Sequence, residues 1–130
     1  MEFKKPRTIY DQIADHICEN ILLDRWPAGE RIPSVREMAI QAEVNPNTVT
    51  RAYTSLQELE IIVNQRGKGY FVAADSREKV RKMKRTEFVQ EDLPALVKTM
   101  ELLGISPDEL ADMIEMARET RKDFEDETER

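Results

Sequence analysis

The sequence predicts a mostly α-helical protein with one small β-hairpin, organised as an N-terminal domain over residues 1–74 and a helical segment over 75–122. Apolar residues recur at spacings of three and four along most of the chain, which is typical of amphipathic helices. Two short β-prone runs flank a glycine-containing turn between residues 61 and 72, and no strand signal follows residue 75. A chain of 130 residues accommodates one small domain with a helical appendage, but not a large catalytic domain.

The first helix is predicted to begin at the N-cap Thr8 and to end near Leu23. A turn over residues 26–29 breaks the helical pattern, and Arg31 and Ile32 can form a very short strand. The inward face of this helix is predicted to carry Tyr10, Ile13, Ala14, Ile17 and Ile21.

Two further helices follow in close succession. Ser34 and Glu37 have the spacing of a capping box, and Asn45 is an N-cap with Pro46 in the first helical position. About three residues separate the two helices, so they must cross sharply, as in a helix-turn-helix. Their predicted inward residues are Val35, Met38, Ala39 and Ala42 on the second helix, and Val49, Ala52, Tyr53, Leu56 and Leu59 on the third.

The hairpin, which we call the wing, is predicted from β-prone residues 61–63 and 70–72 with a basic, glycine-containing tip at 66–69. From Asp75 onward the pattern is purely helical, with a stop at Gly104 and a new start at Ser106. Residues 123–130 are strongly acidic and are expected to form a disordered tail.

Composition argues against several functions. Cys18 and His16 are the only residues of their kinds, so a disulfide framework, a thiolate zinc site and a histidine-based catalytic centre are not expected. Cys18 is predicted to be buried and His16 to face solvent. We expect no cofactor, no metal and no enzymatic activity. No apolar run is long enough to span a bilayer and no signal peptide is visible at the start, so a cytoplasmic location without membrane contact is expected.

The charge distribution leaves room for a nucleic-acid partner despite a net charge of −6. Residues 1–74 contain 9 basic and 10 acidic residues, whereas residues 75–130 contain 11 and 16. The acidity is therefore concentrated in the C-terminal part. DNA binding requires a basic face and not a basic protein.

The third helix carries the main candidate interface. Asn47, Thr50 and Arg51 fall on the side opposite its apolar face, within the first two turns, the part that enters the major groove in this arrangement. Arg51 can donate two hydrogen bonds to a guanine edge, and Asn47 can pair with a base edge or a phosphate. Thr48, Thr50 and the backbone amides at the helix start can hold phosphate oxygens, and Arg36 on the second helix can reach the same groove.

The wing supplies a second candidate contact. Gly67 and Gly69 allow the backbone to approach DNA closely, and Arg66 and Lys68 can enter or straddle a minor groove. A polar helix face alone is usually only solvated, and a basic hairpin tip is often an ordinary turn, but their order and spacing together favour DNA binding. The predicted DNA-binding residues are Arg36, Asn45, Asn47, Thr48, Thr50, Arg51, Arg66, Gly67, Lys68 and Gly69.

Residues 9–73 closely resemble the winged helix-turn-helix domain of the GntR family. The segments that carry the resemblance are PAGERIPSVREMA at 27–39, VNPNTVTRAY at 44–53 and RGKGYFV at 66–72. The short helical C-terminus, with Leu93-Pro94 and LLGIS at 102–106, is similar to the YtrA-type subfamily, whose members dimerise through it. The resemblance implies a DNA-binding transcription regulator, by family default a repressor, with contacts from Arg36, Asn47, Thr48 and the wing around Gly67.

Two positions depart from the family pattern. Pro46 stands where many members place an arginine, so that contact is absent and Arg51 can compensate. Glu43 stands where such turns usually have glycine, which costs about 1 kcal/mol if the backbone there is left-handed. The C-terminal part is too short for the large metabolite-sensing domains common in the family, so any small-molecule effector would bind between subunits.

The C-terminal helices are expected to form a homodimer that reads a palindromic operator. Their apolar stripes are too narrow to close a core alone, although these helices can alternatively pack back onto their own N-terminal domain. The basic cluster over residues 77–85 is equally compatible with phosphate contact and with a solvated helix face. A competing hypothesis is a winged-helix protein-interaction module that does not bind DNA. The predicted dimerisation residues are Val80, Met83, Phe88, Leu93, Leu96, Val97, Met100, Leu103, Leu110, Met113, Ile114 and Ala117.

Overall fold

The computed structural model describes residues 7–128, which divide into two compact units with the boundary after Arg85. The predicted boundary at residue 75 lies too early, because the first turns of the fourth helix pack into the first unit. Ser76 is buried there, and its Oγ lies 2.5 Å from the carbonyl oxygen of Ile61 and 2.6 Å from that of Ala73. The described residues include no helix that is long and apolar enough to cross a membrane.

The first unit has the predicted order of three helices, a hairpin and a further helix. Its elements are α1 (Ile9–Leu22), α2 (Val35–Ala42), α3 (Pro46–Glu58), β1 (Ile62–Gln65), β2 (Gly69–Val72) and α4 (Ser76–Glu87), whose last two residues lie beyond the boundary. The two strands are antiparallel, with Ile62 opposite Val72 and Gln65 opposite Gly69. Arg31 forms an isolated antiparallel bridge with Phe71, which confirms the short strand expected before α2. The fold is therefore a winged helix-turn-helix.

Local hydrogen bonds explain where the helices begin. The Thr8 hydroxyl accepts from the amide of Asp11, whose carboxylate accepts from the amide of Thr8 in return. Ser34 and Glu37 form the same reciprocal capping box at α2, as their spacing predicts. Each box satisfies two backbone amides that a helix start otherwise leaves without a partner.

The core lies between α1, α2, α3 and the wing, and Tyr53 is its largest fully buried side chain. The Tyr53 hydroxyl donates to the carbonyl oxygen of Pro33 at 2.6 Å, and its ring meets Tyr70 edge-on. Burial raises the pKa of this hydroxyl, so it stays protonated and able to donate. Cys18 is buried and His16 is exposed, as predicted.

Two residues expected on inward faces are exposed. Ala42 is the last residue of α2, and Leu59 is the C-cap of α3 with half of its surface accessible. Both lie where a helix ends, and the chain turns there before the apolar stripe can continue into the core.

The second unit contains a π-helical turn (Phe88–Asp92), α5 (Leu93–Leu103) and α6 (Pro107–Thr128). Gly104 ends α5 in the left-handed conformation, with φ 69° and ψ 33°, which glycine adopts without steric cost. The Ser106 hydroxyl accepts from the amide of Glu109 at the start of α6. The prediction of a disordered tail is wrong for residues 123–128, which are the last turns of α6, and residues 129–130 lie outside the described range.

Two predicted dimerisation residues belong to the first unit instead. Val80 has no accessible surface and is part of the core, and Met83 is half-buried against that core. The apolar stripe of α4 is used within the chain, so Val80 is not available to a second copy.

Candidate nucleic-acid interface

The α3 helix presents the polar face that the sequence predicts. Val49, Ala52, Tyr53 and Leu56 are buried on its inner side. Asn47, Thr50 and Arg51 are exposed, whereas Thr48 is half-buried. The Asn47 side chain extends from the first turn of α3, where it can meet a base edge without any rearrangement of the core.

The backbone amides in the first turn of α3 are not free to bind phosphate, contrary to the prediction from the sequence. Pro46 has no amide hydrogen, and the amide of Asn47 donates to Oδ1 of Asn45 at 2.8 Å. The amides of Thr48 and Val49 both donate to the carbonyl oxygen of Asn45, at 3.0 and 3.3 Å. The backbone amides at this helix start are therefore already engaged, and the expectation that they bind phosphate is corrected. The side-chain oxygen of Asn45 serves the helix cap, so its side-chain NH2 group is the donor that it can offer DNA.

The Thr50 hydroxyl is also engaged within the helix. It donates to the carbonyl oxygen of Pro46 at 3.1 Å, one turn earlier. A phosphate oxygen only accepts hydrogen bonds, so Thr50 must rotate away from Pro46 to hold one. In its present rotamer Thr50 offers DNA its oxygen lone pairs and its methyl group.

Arg51 lies against an aromatic ring of α1. Its guanidinium carbon is 4.4 Å from the centroid of the Tyr10 ring, which is the geometry of a cation–π contact. The ring holds the guanidinium close to α1, so contact with a guanine edge requires Arg51 to leave Tyr10 or a base to approach this corner. The sequence predicts Tyr10 only as a core residue, because nothing in local spacing relates two residues 41 positions apart.

The turn between α2 and α3 keeps the left-handed conformation at its non-glycine position. Glu43 has φ 55° and ψ 46°, and the next amide, that of Val44, donates to the carbonyl oxygen of Ala39 at 3.0 Å. Glu43 thus occupies a conformation that glycine adopts more readily, at a cost of about 1 kcal/mol. Arg36 is exposed on α2, near the start of that helix.

The wing tip is a tight turn with exposed basic side chains. The amide of Lys68 donates to the carbonyl oxygen of Gln65 at 2.9 Å, and Gly67 between them has φ 79°. Arg66, Gly67 and Lys68 are exposed, and Gly69 is half-buried. The Arg31 side chain meets this turn, with Nε 3.3 Å from the carbonyl oxygen of Lys68. Sequence reasoning identified Arg31 only as part of a short strand.

These features define the class of the protein: a winged helix-turn-helix in which one core holds α3, with its exposed polar face, and a basic wing. Residues 9–72 match the family described as bacterial regulatory proteins, gntR family. The chain belongs to the GntR family of transcription regulators, which bind DNA.

Individual relatives agree over most of the chain. The HTH-type transcriptional regulator YhcF of Bacillus subtilis is 39% identical over 87% of this chain and 92% of its own length. The HTH-type transcriptional repressor YtrA of the same organism is 32% identical over 82% of this chain and 81% of its own. A solved GntR family transcriptional regulator from Listeria monocytogenes is 31% identical, with a TM-score of 0.71 over 88% of this chain and 98% of its own.

Proposed function

We propose that the protein is a repressor that acts as a homodimer on a palindromic operator. In each subunit α3 lies in the major groove, with Arg36 from α2 beside it, and the wing contacts the adjacent minor groove or its phosphates. The second unit supplies the dimer contact. The proposal adds assembly, operator symmetry and regulatory sign to the DNA-binding role that the family establishes.

The observation that carries this proposal is the lack of a core among the described residues of the second unit. Neither α5 nor α6 buries a residue, although their apolar side chains include leucines, valine, isoleucine and methionines. Full burial of one such side chain contributes about 1.5–3 kcal/mol, which is lost while the side chain stays exposed to water. Burial against a second copy removes this cost, and a two-fold axis lets one face serve both partners. The proposed dimer residues are Phe88, Leu93, Leu96, Val97, Met100, Leu103, Leu110, Met113, Ile114 and Ala117.

A dimer explains how a protein with such small DNA-binding domains can recognise a palindromic operator that is longer than the contact of one domain. One winged helix contacts only a few base pairs, whereas two related by a two-fold axis read half-sites in inverted orientation, about one helical turn apart. Because both half-sites bind together, the affinity for the full palindrome exceeds that of one domain by about a hundredfold or more. The printed name of the related YtrA, a transcriptional repressor, supports repression as the regulatory sign.

The side chains that we propose for DNA contact differ in whether they already make contacts within the protein. Asn47 is exposed and its side chain is not committed to the helix cap, so it is the foremost candidate for reading a base. The Arg51 guanidinium lies on the Tyr10 ring in the free protein, and it contributes to DNA affinity once DNA replaces that ring as its partner. Arg66 and Lys68 act through charge on phosphates, which positions the protein without reading sequence.

The test is binding of the full chain to the DNA upstream of its own gene, followed by fluorescence anisotropy at two salt concentrations with random duplex as competitor. We expect salt-sensitive binding that survives the competitor, falls for Arg51→Ala and Asn47→Ala, and is retained by Gln57→Ala, a control on the exposed surface farther along α3. Binding that is indifferent to sequence and to both substitutions would favour the protein-interaction module. Removing one half-site of the palindrome should weaken binding strongly, whereas changing the length of the flanking DNA should have little effect.

A further inference from the structure

Arg31 occupies an unusual place between three parts of the first unit. Its backbone lies beside β2, since it bridges Phe71, and the neighbouring amide of Ile32 donates to the carbonyl oxygen of Tyr70 at 2.9 Å. Its side chain runs along the wing and donates from Nε to the carbonyl oxygen of Lys68, at the tip. Its other end donates from Nη2 to Oε1 of Glu37, at 3.4 Å.

The partner Glu37 is itself fixed in the first turn of α2. Its carboxylate accepts from the amide of Ser34 at 3.3 Å, and its own amide donates to the Ser34 hydroxyl. Hydrogen bonds from the side chain and the backbone of Ser34 to the carboxylate, together with the charge of Arg31, keep the pKa of Glu37 below its usual value, so the carboxylate stays ionised. Arg31 is thus attached at one end to a capped helix and at the other to the wing tip.

The wing is shaped to admit this side chain. A Cβ at Gly69 would lie 3.0 Å from Nε of Arg31, closer than side chains normally pack, whereas a Cβ at Gly67 would meet nothing within 4 Å. Gly69 also has φ 120°, a conformation that residues with a side chain rarely adopt. The absence of a side chain at Gly69 leaves the space in which the guanidinium reaches the tip carbonyl.

We propose that Arg31 is a positioning residue that fixes the wing tip relative to the N-terminal turn of α2, and that it need not touch DNA itself. A two-stranded hairpin alone is only marginally ordered in water, so its tip needs an anchor to present Arg66 and Lys68 at a fixed distance from α3. The planar guanidinium suits this task because Nε and Nη2 donate in fixed directions to two different acceptors. The consequence for DNA affinity rests on the wing contact proposed above.

The first experiment tests, without DNA, whether Arg31 orders the wing tip. Amide hydrogen exchange by NMR in the full-length protein reports the Lys68 amide, which closes the tip turn, and the Leu56 amide in α3 serves as an internal reference. We expect Arg31→Gln and Arg31→Lys both to raise exchange at Lys68 by a factor of about two to five while Leu56 is unchanged. Lysine keeps the charge but cannot donate to both acceptors from one plane. Unchanged exchange at Lys68 in Arg31→Gln, or full retention of protection in Arg31→Lys, overturns the proposal.

The second experiment separates positioning from direct phosphate contact. Operator affinity is measured for Arg31→Gln, for the wing variant Arg66→Ala/Lys68→Ala, and for the triple variant. We expect Arg31→Gln to weaken binding about twofold to fivefold in the wild-type background and to have no further effect in the wing variant. Additive losses would mean that Arg31 binds phosphate itself and would overturn the proposal. If the wing variant binds as tightly as wild type, the wing contact fails instead, and exchange at Lys68 alone decides the role of Arg31.

Discussion

The two units of this chain use apolar residues in opposite ways. The first unit closes its core within one chain, and residues such as Ile17, Val49 and Val80 have no accessible surface at all. In the second unit no residue of α5 or α6 is buried, and Val97 is 43% exposed. The difference teaches that the first unit buries its own apolar residues, whereas the second leaves apolar side chains exposed that the proposed dimer would cover.

The largest effect is expected from a charge on the exposed apolar face of α5. Val97→Glu places a carboxylate where the proposed dimer buries valine, so the dimer dissociates and operator affinity falls about a hundredfold or more. Thr99→Glu adds the same charge on an exposed position two residues away and should leave both properties nearly unchanged. Sedimentation velocity measures the dimer. A Val97→Glu protein that stays dimeric would favour the alternative in which these helices do not form the subunit contact.

The next prediction compares one chemical change in the two units. Val80→Ala removes two methyl groups from a closed core and should lower the free energy of unfolding of the first unit by about 2 kcal/mol, with dimerisation intact. Val97→Ala should instead weaken the dimer and leave the first unit's stability unaltered. Urea denaturation at several protein concentrations distinguishes the two, because only the loss at Val97 should depend on concentration. If the stability of both variants depended on protein concentration in the same way, the proposed difference between the two units would be wrong.

A third prediction addresses the polar surface of the first unit. Asn47→Ala should reduce affinity for the operator about tenfold, since one side chain that reads a base contributes roughly 1–3 kcal/mol of discrimination. Affinity for random duplex should hardly change, because Asn47 carries no charge. Gln57→Ala is the control on the same helix. A parallel loss on operator and random DNA would show that Asn47 acts on the backbone and not on a base.

The smallest effect is expected at the turn between α2 and α3. Glu43→Gly relieves a left-handed backbone and should raise the free energy of unfolding by at most about 1 kcal/mol, since glycine also gains freedom in the unfolded chain. Glu43→Ala removes the same carboxylate without relieving the backbone, so it should give no gain. Thermal unfolding of both variants checks this. A gain in both would assign the effect to charge and not to conformation.

Much of the first unit was predictable because its signals are local. The capping box of Ser34 and Glu37, the N-caps Thr8 and Asn45, and the order of helices and strands follow from residues at most a few positions apart. Periodicity predicts Val80 on an apolar face but does not show what covers that face, and the structure buries Val80 in the core of the first unit. The Arg51–Tyr10 and Arg31–Lys68 contacts join residues 41 and 37 positions apart, and only the folded chain brings such pairs together.

The engaged amides at the start of α3 have an evolutionary consequence. A backbone contact to DNA persists through nearly every substitution, whereas a side-chain contact changes whenever its residue changes. Here Asn45 already accepts hydrogen bonds from the amides of Asn47, Thr48 and Val49, and Pro46 has none to offer. If this turn contacts DNA as proposed, the contacts come from its side chains, and the operator preference of such a regulator can change by single substitutions while the cap keeps the helix in place.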